Sequence, residues 1–301
     1  MAALFAEMEK LAVSDVVVHV FGETGTGKEC VARALHAASP RARAPFVALN
    51  ASSLSDELFE SEMFGHVRGA FTGAVAAREG HVAAAEGGTL FIDEVVDLTP
   101  RSQGRLLRFV QEREYRRVGE TALRRANLRV LTAANVRLEE CVARGAFRED
   151  LLYRLKVVTL ALPPLRERRD DVVLLARRFL QQAALRWRLP IPELSREVIL
   201  ALQACSWPGN VRQLQNEMER LLALCSGGSL TVDRLSSDVL QATHSPGELS
   251  RLRQARADFD RRYVQEALLK HGGNRTRTAA ALGLSRQGLS LLLSRHRMQF
   301  P

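Results

Sequence analysis

Three side chains in this sequence have the types and spacing for phosphate chemistry: Lys28, Asp93 and Glu94. Lys28 sits in Gly22-Glu23-Thr24-Gly25-Thr26-Gly27-Lys28-Glu29, an octapeptide with the order of a P-loop. In such a loop the glycines let successive backbone N–H groups turn toward phosphate oxygens, and the following helix offers them the positive end of its dipole. Lys28 would then lie against the β- and γ-phosphates of a nucleoside triphosphate. Glu29 stands where the general pattern has a Ser or Thr on magnesium, so an ion there must be held mainly by other groups, water and phosphate. Those groups occur in Gly87-Gly88-Thr89-Leu90-Phe91-Ile92-Asp93-Glu94, an apolar strand ending in paired carboxylates, as in a Walker B segment. Asp93 would orient hydrated Mg2+ and Glu94 would position and polarise the attacking water. Taken singly, the first motif is an ordinary strand-to-helix turn and the second a solvated strand end. Together, and in this order, they imply ATP hydrolysis.

The elements that must position these groups are legible around them. Val16-Val17-Val18-His19-Val20-Phe21 is a β-branched run directly before the glycine loop, long enough for a buried strand. Apolar strands alternate with amphipathic helices from Val16 to about Leu162, which predicts an α/β layer structure with a mainly parallel sheet. The length of 301 residues accommodates two or three domains. No apolar run approaches the ~18 residues needed to span a bilayer, and the N-terminus lacks the order of a signal peptide. The expectation is a cytoplasmic protein with no membrane partner. Cys30, Cys141, Cys205 and Cys225 are scattered and form no C-x-x-C pair, so buried thiols are expected rather than a metal site or disulfides.

Charge is unevenly placed. Residues 241–301 hold 11 Lys/Arg against 4 Asp/Glu and so carry +7 of the net +9. A compact basic segment favours a polyanion, usually nucleic acid. After a polar linker at 241–250, apolar residues recur at helical spacing through Phe259, Tyr263, Ala267 and Leu268, with a stop at His271-Gly272-Gly273. Asn274 can cap a next helix running through Ala279 to Leu282 and ending at Gly283, and Arg286 to His296 reads as a further short helix. This is a helix-turn-helix pattern. Arg286, Gln287 and Ser290 are candidates for base or phosphate contact, and Arg275, Arg277, Arg295 and Arg297 for backbone phosphates. The competing reading is a basic helical bundle that serves only dimerisation.

Residues 69–74 read Gly-Ala-Phe-Thr-Gly-Ala, small residues around one aromatic, between the two phosphate motifs. That placement suggests a loop driven by ATP hydrolysis rather than a buried element. With GETGTGKE, GAFTGA, GGTLFIDE, FREDLLYRL, LPPLRERRDD and WPGNVRQLQN in this order, the chain resembles the bacterial enhancer-binding proteins over nearly its whole length. These are AAA+ activators of sigma-54 RNA polymerase, here joined to a Fis-type helix-turn-helix, and Glu29 is the residue the family uses after the Walker lysine.

The resemblance implies an AAA+ P-loop fold with a small helical lid. The domains expected are the α/β ATPase at 1–165, the lid at 166–240, the linker at 241–250 and the DNA-binding domain at 251–301. It implies ATP and Mg2+ as ligands. The expected partners are the sigma-54 RNA polymerase holoenzyme, enhancer DNA and other copies in a homo-oligomeric ring, expected to be a hexamer. Gly69, Ala70, Phe71, Thr72, Gly73 and Ala74 would contact sigma-54, with Phe71 and Thr72 at the loop tip. Asn50 matches the residue that holds the Walker B glutamate in a nucleotide-dependent switch, although it equally suits a cap for the segment after it. Asn135 matches sensor I, with Ala134 replacing the family's preceding threonine, and Arg212 matches sensor II. Arg148 and Arg154 match the arginine fingers that reach the neighbouring subunit's site; as residues among charged neighbours they also read as surface ion pairs. Trp207 is expected to anchor the lid core and Phe64 to pack beneath the loop. No sensory domain precedes the ATPase motifs, so the expectation is control in trans or a longer regulator of which these residues are a piece. A regulator that acts without sigma-54, or an AAA+ remodelling ATPase with an incidental basic tail, is the alternative.

Overall fold

The computed structural model describes residues 1–52, 54–224, 230–243, 264, 267 and 275–283. The chain divides into two compact units, Met1–Leu235 and Ser236–Pro301. In the first unit the strands are β1 (Val18–Phe21), β2 (Phe46–Asn50), β3 (Gly65–His66), β4 (Arg78–Glu79), β5 (Thr89–Asp93), β6 (Glu114–Tyr115), β7 (Arg124–Arg125), β8 (Arg129–Ala134) and β9 (Val158–Ala161). Five of them form a sheet in the order β2-β5-β8-β1-β9, and every pairing in it is parallel. The helices around it are α1 (Ala2–Ala12), α2 (Lys28–Ala37), α3 (Asp56–Phe64), α4 (His81–Ala84), α5 (Pro100–Glu112), α6 (Leu138–Ala143) and α7 (Glu149–Leu155).

The central strands are apolar because helices cover both faces, the usual condition of a parallel sheet. All six residues of β8 are buried. Successive side chains leave a strand on opposite faces, and the core separates accordingly. Leu90, Ile92 and Val130 pack with Phe59 and Met63 of α3 and Leu106 and Phe109 of α5. Phe91, Leu131 and Ala133 pack with Leu4 and Met8 of α1 and Ala32 and Leu35 of α2. Each Val, Leu, Ile, Phe or Met among them contributes about 1.5–3 kcal/mol by leaving water. Local chemistry sets where helices start: Ser55 Oγ accepts from Leu58 N ahead of α3, and Thr99 Oγ1 accepts from Ser102 N ahead of α5, with Pro100 at its first position.

A helical domain follows, with α8 (Arg169–Trp187), α9 (Arg196–Ala204) and α10 (Asn210–Leu224). Trp207 is fully buried in it, its indole N–H donating to Leu202 O at 2.8 Å, as expected of a core anchor. Phe64 is buried too, against the rings of Phe109 and Tyr115. In the second unit α11 (Ser237–Thr243) and α12 (Arg275–Ala281) are seen, and Gly283 at φ +68° follows α12, the glycine stop read from the sequence. The helices expected over 251–271 and 286–296 fall largely or wholly outside the described residues. The cysteine expectation fails at one position: Cys141 and Cys205 are buried, but Cys30 is exposed, since the turn after Lys28 brings it to the outer side of α2. Cys225 lies outside the described residues.

Candidate nucleotide site and its loops

The phosphate motifs meet at one edge of the sheet, where β1, β5 and β8 end. This is the edge at which open α/β sheets bind ligands. The chain leaves β1 at Phe21, turns through Gly22–Gly27 and enters α2 at Lys28, with Gly27 at φ +101° as its N-cap. Gly25 is required twice over: its φ is +79°, and a Cβ there would lie 2.4 Å from Gly209 O. Lys28 is 6% exposed. Its Nζ donates to Gly22 O at 3.1 Å and to Glu94 Oε1 at 3.2 Å. The second Glu94 oxygen accepts from Asn135 N at 3.2 Å, and Asn135 Nδ2 donates to Thr24 Oγ1 at 3.4 Å. Asp93 Oδ1 accepts from Glu94 N at 3.0 Å, which helps hold Glu94 in the left-handed region at φ 53°. Lys28, Asp93, Glu94 and Asn135 therefore form one hydrogen-bonded group, although 107 positions separate Lys28 from Asn135.

Asn50 is placed next to this group but not bonded to Glu94. It stands opposite Asp93 in the β2–β5 register. Its Oδ1 accepts from Ser52 N at 2.9 Å and Ser52 Oγ at 2.7 Å, the capping role. The expected Asn50–Glu94 contact is absent because Glu94 takes a charged partner, Lys28, and Asn50 finds two local donors. Glu23, read as part of the phosphate cradle, has its carboxylate on Arg166 and Asn210. Thr26 Oγ1 donates back to Glu23 O at 2.7 Å and Glu29 pairs with exposed Arg33. Arg212 is exposed at the start of α10, with its N–H 3.3 Å from Gly25 O.

Arg148 is the N-cap of α7 and Arg154 lies on its last turn; α7 packs mainly on α5 and α6. Arg148 makes a two-bond pair with Asp150 at 3.0 and 2.7 Å, and both partners are about half exposed. That is the surface ion pair weighed above. Its guanidinium lies over Gly104 of α5. Arg154 is exposed.

The hexapeptide 69–74 spans a loop between β3 and β4, themselves an antiparallel ribbon at the end of α3. Gly69 N donates to Ala74 O at 2.9 Å, closing the loop on itself. Thr72 and Gly73 are exposed at its tip. Phe71 is not at the tip: it is half-buried, edge-on to the His66 ring at a centroid distance of 5.0 Å. An aromatic side chain gains more from this apolar shelf than from water. His66 is itself pinned, Nδ1 to Ser61 Oγ at 2.8 Å and Nε2 to Ala76 O at 3.0 Å. The carbonyl can only accept, so Nε2 carries the proton.

A second loop, missed in the sequence reading, supports the first. Between β6 and β7, Val118 exchanges bonds with β3: Val118 N donates to Gly65 O at 2.8 Å and Val67 N to Val118 O at 3.1 Å. Gly119 lies so close to Ala70 that a Cβ would come within 2.9 Å of it. Such a contact joins segments some fifty positions apart and leaves no periodic trace. Of the DNA-contact candidates, Arg277 is exposed on α12 and Arg275 begins that helix. Arg286, Gln287, Ser290, Arg295 and Arg297 lie outside the described residues.

A parallel sheet with a glycine loop after β1, paired carboxylates after β5 and a helical lid define an AAA+ P-loop ATPase. Family models agree along the chain: the Sigma-54 interaction domain matches residues 1–161, the AAA+ ATPase lid domain 166–251, and the Fis family of bacterial regulatory proteins 255–295. The chain belongs to the family of sigma-54-dependent transcriptional regulators. It is 43% identical over 300 residues to the transcriptional regulatory protein ZraR of Klebsiella oxytoca, covering 98% of this chain and 67% of that protein. It is 44% identical over 298 residues to GlrR of Escherichia coli K12, covering 99% and 66%. Among solved structures it is similar to NtrX of Brucella abortus in complex with ADP, with a TM-score of 0.73 and 34% identity over 98% of this chain and 67% of that one. The chain thus spans about two thirds of the length of these relatives.

Proposed function

We propose that this chain is an ATP-driven activator that binds enhancer DNA through its C-terminal domain and remodels the sigma-54 RNA polymerase closed complex. ATP is the substrate of the Lys28–Glu94 group. Lys28 neutralises the β- and γ-phosphates, Asn135 and Arg212 sense them, and Glu94 orients a water for in-line attack on the γ-phosphorus. Mg2+, which Asp93 would hold through water, supplies further neutralisation of the phosphates when bound. Arg148 and Arg154 act on the site of the neighbouring copy in a ring, taken to be a hexamer, in the cytoplasm. Exposed positions suit them for that, and the Asp150 partner of Arg148 is one a phosphate can displace.

The observation that carries the reading is a single run of chain. Asn50 ends β2 beside Asp93, α3 follows within six positions, and α3 leads straight into β3 and the 69–74 loop. A change at Glu94 that re-engages Asn50 would move α3 and, with it, lift Phe71 from His66 toward sigma-54. Arg275, Arg277, Arg286, Gln287, Ser290 and Arg295 hold the ring at DNA, which raises the local concentration of copies.

The test is hydrolysis as a function of protein concentration for wild type, Thr72→Ala and Arg148→Ala, with sigma-54 binding measured in ADP and in a transition-state mimic. Turnover rises cooperatively, Arg148→Ala lowers it on the order of 10³-fold, and Thr72→Ala keeps hydrolysis but loses binding. Full turnover in dilute monomers, or no sigma-54 binding with any nucleotide, overturns the proposal.

A further inference from the structure

Glu23 belongs to the phosphate loop, yet its carboxylate is committed to the helical domain. Arg166, in the turn before α8, donates to Glu23 Oε1 from Nη2 at 2.6 Å and to Oε2 from Nη1 at 2.8 Å. Asn210, the first residue of α10, donates to Oε2 at 3.1 Å. Asn210 is fully buried at φ +52°, and its amide is fully used: Nδ2 also donates to Thr24 O at 3.1 Å, and Oδ1 accepts from Leu165 N at 2.8 Å. A left-handed residue with a short side chain that bonds locally is the case in which Asn is tolerated.

The same domain takes the next carbonyls of the loop. Gly25 O accepts from Val211 N at 2.9 Å and from Arg212 N at 3.3 Å, and Thr26 O accepts from Arg168 Nη2 at 2.9 Å. In a trans peptide the C=O and the following N–H point in opposite directions. Engaging the carbonyls of Thr24, Gly25 and Thr26 on the lid side therefore turns the N–H groups of Gly25 and Gly27 the other way, while the N–H of Thr26 donates to Glu23 O at 3.2 Å. The Arg166 guanidinium, and next the Asn210 amide, hold the Glu23 carboxyl at about 2, below the usual carboxylate range, as expected of an anion engaged by these donors.

We propose that Glu23, Arg166 and Asn210 are positioning residues that fasten the lid to the phosphate loop, presetting the loop N–H groups for a polyphosphate and fixing Arg212 beside it. This rests on the reading of Gly22–Glu29 as the ATP site. Glu23 acts through the lid, with no contact of its own to the nucleotide.

The experiment measures affinity of the full chain for a fluorescent ADP analogue, with melting in the absence of nucleotide, for Glu23→Gln, Arg166→Ala and the double variant. Each single change weakens ADP binding about five- to tenfold, the scale of one net hydrogen bond at an exposed site. The double variant binds no more weakly than the worse single one, because both remove the same contact. Melting moves by only about 3 °C or less, since an exposed pair adds little to stability. Asn210→Asp sets a second carboxylate against Glu23 and takes the donor from Thr24 O, weakening ADP binding beyond either single change; adding Glu23→Gln, whose amide can donate to Asp, recovers part of that loss. Additive losses, an Arg166→Ala protein that binds like wild type while Glu23→Gln does not, or no rescue of Asn210→Asp overturns the proposal. If wild type binds ADP and all these variants bind equally well, the latch alone fails. If wild type binds no ADP, the ATP-site reading fails first.

Discussion

Glu94→Gln separates the charge of the Walker B residue from its shape. In the structure Lys28 is 6% exposed and Glu94 14%, with Nζ and Oε1 3.2 Å apart. At an effective dielectric of about 20 that separation corresponds to about 5 kcal/mol of attraction, much of it offset by desolvation of the two ions. The variant keeps Lys28 desolvated without a counter-charge. It also cannot serve both donors in place, because one of the two carboxylate oxygens becomes an NH2 group set against either Lys28 Nζ or Asn135 N–H. A net loss of about 2 kcal/mol follows, or roughly 4–8 °C in melting for a unit of this size. ATP supplies the missing charge to Lys28, so the loss shrinks when nucleotide is present. By linkage the variant then binds ATP more tightly, on the order of tenfold, while hydrolysing it poorly. Urea unfolding and melting with and without ATP, beside direct ATP titration, measure each quantity. A variant as stable as wild type without nucleotide, or equally destabilised with and without it, refutes the claim that Glu94 is what neutralises Lys28.

Burial, with smaller effects from Lys156 and Lys28, holds the His19 imidazole at about 4, down from 6.5, where it bonds Thr132 Oγ1 at 3.0 Å. The unfolded chain takes up a proton between these values that the fold refuses, so this contribution is complete above pH 6.5 and fades as pH falls toward 4, by about 3 kcal/mol in all. Urea unfolding of wild type against His19→Gln across that window shows the difference closing; a pH-independent difference refutes it. Gly25→Ala sets a Cβ 2.4 Å from Gly209 O at φ +79° and costs at least about 2 kcal/mol, read as a lower melting temperature together with weaker ADP binding. His66→Ala removes the bonds to Ser61 and Ala76 and the shelf under Phe71. Tryptic cleavage after exposed Arg68 then rises on the order of tenfold, whereas unchanged cleavage would mean that His66 does not restrain the loop.

The sequence by itself determined the chemistry and the layer structure. The glycine octapeptide, the Asp93-Glu94 strand end and the alternation of apolar runs are local patterns, and each is dictated within a few positions by backbone conformation and burial. The Glu23 latch, the His66 shelf for Phe71, the second loop at Gly119 and the buried Arg129 were decided only by the tertiary structure. Arg129 is wholly buried within β8 and donates to Leu11 O and Ala12 O, closing the C-terminal end of α1. Nothing near Arg129 in the sequence marks that role, because its partners lie 117 and 118 positions away. The same holds for Asn50, whose position beside Asp93 followed from its strand but whose hydrogen bonds did not. Side-chain periodicity reports which face of an element is apolar. Which polar group meets which depends on strand order and on where the lid comes to rest, and those are properties of the folded chain.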